Sequence, residues 1–205
     1  MGKKILEAFK KIESTDGLNE MIPELTRKSA ILIPIICPQE DWNNNILNIK
    51  AWKVIFTIRA SHLKEHAGEV SFPGGRIDHN ETPLQTAFRE AQEEISLDPA
   101  QVLETISLNN SFARSGYHIT PFCSLILNEN HLERYENEVS DIISLTIEQL
   151  INLKCWSEER SIMQFKRRVW HFPVKIEGIG EIDIWGATGN ILKDLLMRFE
   201  YLLDK

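Results

Sequence analysis

The sequence predicts an α/β (α+β) fold in which helices cover a mixed β-sheet. Segments rich in β-branched and aromatic residues outnumber the helical segments, and their order is not a regular βαβ alternation. The chain has 205 residues, which is enough for one domain with a substantial core. We therefore expect a single domain over residues 1–205, with its core at about 30–195 and an N-terminal helix as an extension.

The predicted sheet is built from segments with strand composition, bounded by turn residues. The last two of these segments are separated by Gly178 and Gly180, a pattern typical of a hairpin. The predicted strands are Ala30–Ile36, Trp52–Arg59, Glu104–Leu108, His118–Leu127, Val139–Leu145, Val169–Ile176 and Glu181–Trp185.

Amphipathic spacing predicts three helices, at residues 3–12, at residues 83–95 and from Ala187 to about Leu203. The middle helix has the clearest boundary, because Thr82 and Gln85 make a capping-box pattern around its first turn. Its apolar stripe consists of Leu84, Ala87, Phe88, Ala91 and Ile95.

Composition excludes several classes of protein. With 23 Lys+Arg against 30 Asp+Glu, the net charge of −7 argues against a general nucleic-acid or membrane binder. Cys37, Cys123 and Cys155 are far apart and fit neither a disulfide framework nor a zinc site. No apolar run is long enough to span a membrane. We expect a cytoplasmic monomer or homodimer that acts on a small molecule.

Three carboxylates lie on a second face of the middle helix, those of Glu90, Glu93 and Glu94. The helix alone is compatible with two interpretations, a solvated acidic face or a site for divalent cations. The solvated face is the more common of the two. Gly74 and Gly75 precede the helix at a predicted turn, where they let the backbone approach a phosphate or metal closely. This context favours the cation site.

The segment from Gly75 to Leu97 resembles the Nudix box, G-x5-E-x7-R-E-U-x-E-E-x-G-U, where U is a bulky aliphatic residue. The matching residues are Gly75, Glu81, Arg89, Glu90, Glu93, Glu94 and Leu97. Ala91 stands where a bulky residue is usual, and Ser96 replaces the last glycine, so we expect Ser96 to affect the end of the helix. The resemblance implies a Nudix-type α/β/α sandwich with a mixed sheet.

The resemblance also implies a Nudix pyrophosphohydrolase that uses Mg²⁺ or Mn²⁺. The implied metal ligands are Glu90 and Glu94, then Glu93, with the Gly74 carbonyl as a backbone ligand. The catalytic candidates are Glu93, Glu138 and Arg89. Glu93 and Glu138 are candidate bases, with Glu136 the neighbouring alternative to Glu138, and the family role of Arg89 is mainly an ion pair with Glu81.

A second resemblance extends upstream, where Ile55 to Gly75 is similar to the coenzyme A pyrophosphatase signature LLTxT(S/A)x3Rx3Gx3FPGG. The matching residues are Thr57, Ala60, Gly68, Phe72, Pro73, Gly74 and Gly75. Lys64 replaces the signature arginine and Arg59 replaces a threonine. The segments SGYHITPF and WGATGNIL also resemble this branch.

This resemblance implies hydrolysis of coenzyme A or acyl-CoA to 3′,5′-ADP and 4′-phosphopantetheine or its acyl form. The candidate substrate-binding residues are Arg59, Lys64, Gly74, Gly75, Arg76 and Tyr117. Two alternatives stay open: hydrolysis of another nucleoside diphosphate derivative such as ADP-ribose or NADH, and a module that binds a nucleotide without cleaving it.

Overall fold

The computed structural model describes residues 2–13, 27–162 and 165–204. The helices are α1 (Lys3–Lys10), α2 (Gln39–Asn44), α3 (Pro83–Ile95), α4 (Ile147–Ile151) and α5 (Gly186–Leu203), with 3₁₀ turns at Ile49–Ala51 and Pro99–Gln101. The strands are β1 (Arg27–Ile36), β2 (Lys53–Arg59), β3 (Val70–Ser71), β4 (Gly74–Arg76), β5 (Val102–Ser107), β6 (Ser111–Phe112), β7 (Tyr117–Ile126), β8 (Val139–Thr146), β9 (Trp156–Ile162), β10 (Phe165–Ile176) and β11 (Gly180–Trp185).

The strands form one large mixed sheet and one small antiparallel sheet. In the large sheet β1 lies parallel to β7 over its full length, from the pair Arg27 and Tyr117 to the pair Ile36 and Ile126. Its other edge pairs antiparallel with β2 and β4. Strands β3 and β8 extend the sheet from β2, and β5 and β6 extend it from β7. The small sheet has the order β11-β10-β9.

Two cores lie on opposite faces of the large sheet, which confirms the predicted α/β/α sandwich. Successive side chains of a strand point to opposite faces, and β1 shows this clearly. Ala30 and Leu32 pack with α3, whereas Ile33 and Ile35 pack in the larger core with α1, α5 and the small sheet. Because β1 is buried on both faces, its sequence is a nearly continuous run of apolar residues.

Most predicted elements are confirmed, with boundaries that move by a few residues. The prediction of a turn at Gly74 and Gly75 is wrong, because these residues form β4 and pair with β1 at Ile31 and Ala30. Helix α1 ends at Lys10 rather than residue 12. Strands β3, β6 and β9 and helices α2 and α4 were not predicted; β3 and β6 have two residues each, which is too short for a periodic pattern.

Two further observations concern the helices and the cysteines. In the part of the chain that the structure describes, no helix is both long and apolar enough to cross a membrane. Cys37, Cys123 and Cys155 are free thiols, and the first two are buried. Burial raises the pKa of Cys37 to about 12, so this thiol stays protonated and unreactive at neutral pH.

Candidate active site

Helix α3 is placed by its N-terminal cap and by small buried residues. The Thr82 hydroxyl accepts from the Gln85 backbone N–H (3.3 Å), and the Gln85 side chain accepts from the Thr82 N–H (2.8 Å). Ala87 and Ala91 are fully buried against the β1 face, where small side chains allow the helix to approach the sheet closely. Leu84, predicted in the apolar stripe, is instead 38% exposed, because it lies in the first turn ahead of the packed residues.

The glycine pair of β4 determines where two carboxylates of α3 lie. A Cβ on Gly75 would collide with the Glu90 carboxylate, so the absence of a side chain makes room for that carboxylate. The Gly74 backbone N–H donates to Glu94 Oε2 at 3.3 Å. Glu90 and Glu94, one helical turn apart, therefore both face β4.

Burial and mutual repulsion make this carboxylate pair unfavourable without a cation. Glu94 is only 4% exposed, and burial, followed by the negative charge of Glu90, raises its pKa to about 8. The positive charge of Arg59 partly opposes this shift. Burial likewise raises the pKa of Glu90, against the effect of the Arg89 guanidinium. A bound divalent cation would relieve both costs.

Glu93 does not share the environment of the other two glutamates. Its side chain is 58% exposed, and it accepts from Arg89 Nη1 at 3.1 Å. Because the same Nη1 also donates to Glu90, Glu93 does lie beside Glu90 as predicted, but at the exposed edge of that helix face. Each residue turns the helix by about 100°, so Glu93 points outward while Glu90 and Glu94 point to β4.

Arg89 connects the loop before α3 to the carboxylates. Its Nε and Nη2 donate to the two carboxylate oxygens of Glu81 at 2.8 and 3.1 Å, and its Nη1 donates to Glu90 Oε1 at 2.9 Å. The Thr86 hydroxyl also donates to Glu81 at 2.7 Å. These bonds lower the pKa of Glu81 to about 2, and those from Arg89 have the largest effect. Arg89 thus orients Glu90 while keeping Glu81 ionised.

Glu138 approaches the same carboxylates from a loop tied to the end of α3. The Tyr135 N–H donates to the Glu94 carbonyl at 2.9 Å, and the Glu138 carbonyl accepts from the Ala60 N–H at 2.9 Å. The negative charge of Glu138 contributes to the raised pKa values of both Glu90 and Glu94, so it lies within their electrostatic range. Its side chain is exposed, as access to a water molecule requires. Glu136 is instead paired with Arg134 at 3.3 Å.

The donor set fits a small, hard divalent cation. Across residues 2–13, 27–162 and 165–204, no three His, Cys, Asp or Glu side chains form a group that encloses a metal. Mg²⁺ does not require one, since it usually keeps several waters and binds one or two carboxylates together with substrate phosphates. Glu90 and Glu94 supply such a pair. Whether the Gly74 carbonyl adds a ligand stays a prediction.

The predicted substrate-binding residues fall into three places. Arg59, at the end of β2, lies near Glu94 and lines a cavity described below. Lys64 is exposed in the loop between β2 and β3. Arg76 Nη2 donates to the Tyr117 hydroxyl at 3.1 Å, and this bond lowers the pKa of Tyr117. The structure therefore brings Arg76 and Tyr117 together, while Lys64 makes no ion pair within the described residues.

Sequence reasoning missed Arg27, whose guanidinium carbon lies 5.5 Å from the centre of the Tyr117 ring. Arg27 and Arg76 both lower the pKa of Tyr117, so two guanidinium groups act on one phenol. Finding this contact requires knowing that β1 and β7 are parallel neighbours, and no local pattern carries that information.

Replacing Gly75 by Ala tests the close approach of β4 and α3. We expect kcat to fall by about 10²-fold, because the new Cβ displaces the Glu90 carboxylate and misplaced catalytic groups have costs of that order. Gly178→Ala is the control for a strained glycine replacement far from the site: φ is +81° in the β10–β11 turn and no atom lies within 4 Å of a Cβ, so we expect lower stability with kcat unchanged. Steady-state rates equal to wild type for Gly75→Ala would contradict this role.

Comparison with known proteins decides the family. The family model described as NUDIX domain matches residues 46–165. The chain belongs to the Nudix family. Relatives named uncharacterized Nudix hydrolase NudL in Yersinia pestis (strain Pestoides F) and Yersinia pseudotuberculosis serotype O:1b (strain IP 31758) are each 32% identical over 177 residues, which cover 84% of this chain and 79% of the relative.

A solved structure agrees at the level of the fold. The MutT/nudix family protein from Enterococcus faecalis aligns with a TM-score of 0.51 and 14% identity, over 98% of this chain and 69% of that one. The match to the NUDIX domain and the relatives named Nudix hydrolase show that this chain is an enzyme of the pyrophosphohydrolase type. Nudix hydrolases generally require divalent metal ions.

Proposed function

We propose that this Nudix hydrolase cleaves the pyrophosphate of coenzyme A or acyl-CoA, with Mg²⁺ or Mn²⁺, to 3′,5′-ADP and 4′-phosphopantetheine or its acyl form. The observation that carries the chemistry is the buried pair Glu90 and Glu94 beside Gly74 and Gly75. The substrate assignment is supported by the segment Ile55–Gly75, whose similarity to the coenzyme A pyrophosphatase signature covers β2, β3 and the start of β4.

In this proposal the residues of the site have separate roles. Glu90 and Glu94 hold the cation, which when bound neutralises pyrophosphate oxygens and lowers the pKa of water. Arg89 fixes the orientation of Glu90. Glu138 accepts the proton of the attacking water, because it is exposed and close to the carboxylate pair but bonded to none of the described cations. Arg59 and Arg76 provide positive charge for phosphates.

The assignment of the base is tested by matched substitutions in one loop. We expect Glu138→Gln to lower kcat by about 10²- to 10⁴-fold, the usual contribution of general base catalysis. Glu136→Gln should leave kcat near wild type, since its carboxylate is paired with Arg134 at the surface. Glu93→Gln completes the set: a loss seen with Glu93→Gln but not with Glu138→Gln would assign the base to Glu93.

The substrate is tested with purified protein and a panel of coenzyme A, acetyl-CoA, ADP-ribose and NADH, each with Mg²⁺ or Mn²⁺. We expect coenzyme A or its acyl form to have the highest kcat/KM, with 3′,5′-ADP identified by chromatography. A higher kcat/KM for ADP-ribose or NADH would reassign the substrate within the family. Folded protein that cleaves none of them would favour a binding role.

The proposal also includes a cytoplasmic location and a single domain. Three free cysteines, two of them buried, suit a reducing compartment such as the cytoplasm. The two cores share β1 and surround one sheet system, which supports the description of the chain as a single domain.

A further inference from the structure

A cavity of about 370 Å³ opens between the large sheet, the small sheet and the start of α5. This volume lies in the range of small-ligand sites. Ser71 on its wall precedes Gly74 by three residues, and Arg59 both lines it and acts on the charge of Glu94. The cavity therefore adjoins the carboxylate site but is distinct from it, because Glu90 and Glu94 lie between β4 and α3.

The cavity is positively charged in a protein whose net charge is −7. The side chains of Arg59, Arg114 and Arg160 line it. Among the described residues of its wall, Glu69 is the one carboxylate, and it is bonded to His66 Nδ1 at 2.8 Å. Arg160 is paired with Glu158, so the positive charge available to an anion in this cavity is that of Arg59 and Arg114.

These guanidinium groups are available to a ligand to different degrees. The Nε of Arg59 is buried and has no hydrogen-bond partner within the described ranges, so this guanidinium has an unsatisfied donor. Arg114 is exposed, and its side chain makes no hydrogen bond or ion pair with the rest of the described chain. Arg160 is held in place by Glu158 (2.5 Å from Nε) and lies 5.1 Å from the centre of the Trp185 ring.

The first turn of α5 adds hydrogen-bond donors to the same wall. Gly186, Ala187 and Thr188 line the cavity, and Trp185 at the N-cap offers no side-chain acceptor to their backbone N–H groups. These N–H groups add to the attraction of the arginines for an anion.

We propose that this cavity binds a phosphomonoester of the substrate that is separate from the scissile pyrophosphate. A phosphomonoester carries nearly two negative charges at neutral pH, which matches the guanidinium groups of Arg59 and Arg114 better than a single carboxylate does. The inference rests on the proposed function, because in coenzyme A this group is the 3′-phosphate. The cavity then selects nucleotides that carry the additional phosphate.

The test compares coenzyme A with dephospho-coenzyme A, which lacks the 3′-phosphate, in wild type and Arg114→Gln. We expect Arg114→Gln to lower kcat/KM for coenzyme A by about 10-fold or more, and for dephospho-coenzyme A by less than about twofold. Arg168→Gln is the matched control: Arg168 is exposed on β10 next to Val169, which lines the cavity, so its side chain projects from the opposite face. It should leave both values unchanged.

A binding measurement decides the inference without turnover. By calorimetry we expect wild type to bind 3′,5′-ADP about 10-fold or more tightly than 5′-AMP, and Arg114→Gln to lose most of this preference. Equal affinities in wild type, or an equal loss of both in the variant, would overturn the inference. If wild type prefers 3′,5′-ADP but cleaves no coenzyme A, the cavity assignment stands and the proposed function fails.

Discussion

Glu94→Gln is expected to lower kcat by about 10³-fold or more, since binding of the divalent cation contributes several kcal/mol to catalysis and each 1.4 kcal/mol is about tenfold in rate. Glutamine has the size of glutamate, and its amide oxygen still accepts from the Gly74 N–H. The substitution therefore removes the ligand charge while keeping the packing of α3 on β4. Steady-state kinetics over a range of Mn²⁺ concentrations measure the effect.

The control for Glu94→Gln is Glu136→Gln, which removes one carboxylate from an exposed loop position. Circular dichroism and the urea midpoint show whether each variant is folded. We expect excess Mn²⁺ to restore no activity to Glu94→Gln. Among the described residues, no other carboxylate is bonded to β4 where it could replace Glu94 as the partner of Glu90. If kcat of Glu94→Gln stays within about tenfold of wild type, Glu94 is not a metal ligand, because loss of a ligand lowers kcat by more than that.

The parts of the fold that local sequence determines were predicted closely. The bounds of α3, residues 83–95, follow from the Thr82 capping box at one end. At the other end, Ser96 adopts φ = 56°, so a serine occupies the left-handed position where the Nudix box has glycine. The prediction that Ser96 affects only the helix end agrees with this geometry. These features depend on interactions within a few residues, which a single sequence displays.

The parts that tertiary packing determines were predicted less well. Glu93 shares the spacing of Glu90 and Glu94, and only the position of β4 shows which two of them face inward. The cavity brings together Arg59 from β2, Arg114 from the loop between β6 and β7, and Arg160 from β9. No pattern in the sequence predicts that convergence. The similarity of SGYHITPF and WGATGNIL to the coenzyme A branch marked two segments that contribute to the cavity wall, without indicating a role.

The raised pKa of Glu94 predicts how stability depends on pH in metal-free protein. In the folded protein Glu94 stays protonated up to about pH 8. In the unfolded chain a glutamate has its ordinary pKa of 4.5 and loses its proton at lower pH. The free energy of unfolding should therefore fall as pH rises from 4.5 to 8, by an amount on the order of a few kcal/mol. Glu90 contributes with the same sign, because its pKa is also raised.

Urea unfolding in a chelator, at intervals between about pH 4.5 and 8.5, measures this dependence. We expect Glu94→Gln to lose most of the decline, since glutamine does not titrate and Glu90 then has no charged neighbour at position 94. Mn²⁺ should stabilise wild type more strongly as pH rises, because the cation displaces a proton from the carboxylate that it binds. Parallel pH profiles for wild type and Glu94→Gln would mean that Glu94 is already ionised at low pH. The carboxylate pair would then be stabilised by the protein rather than by the metal, and the cost of its burial would no longer be an argument for a cation site.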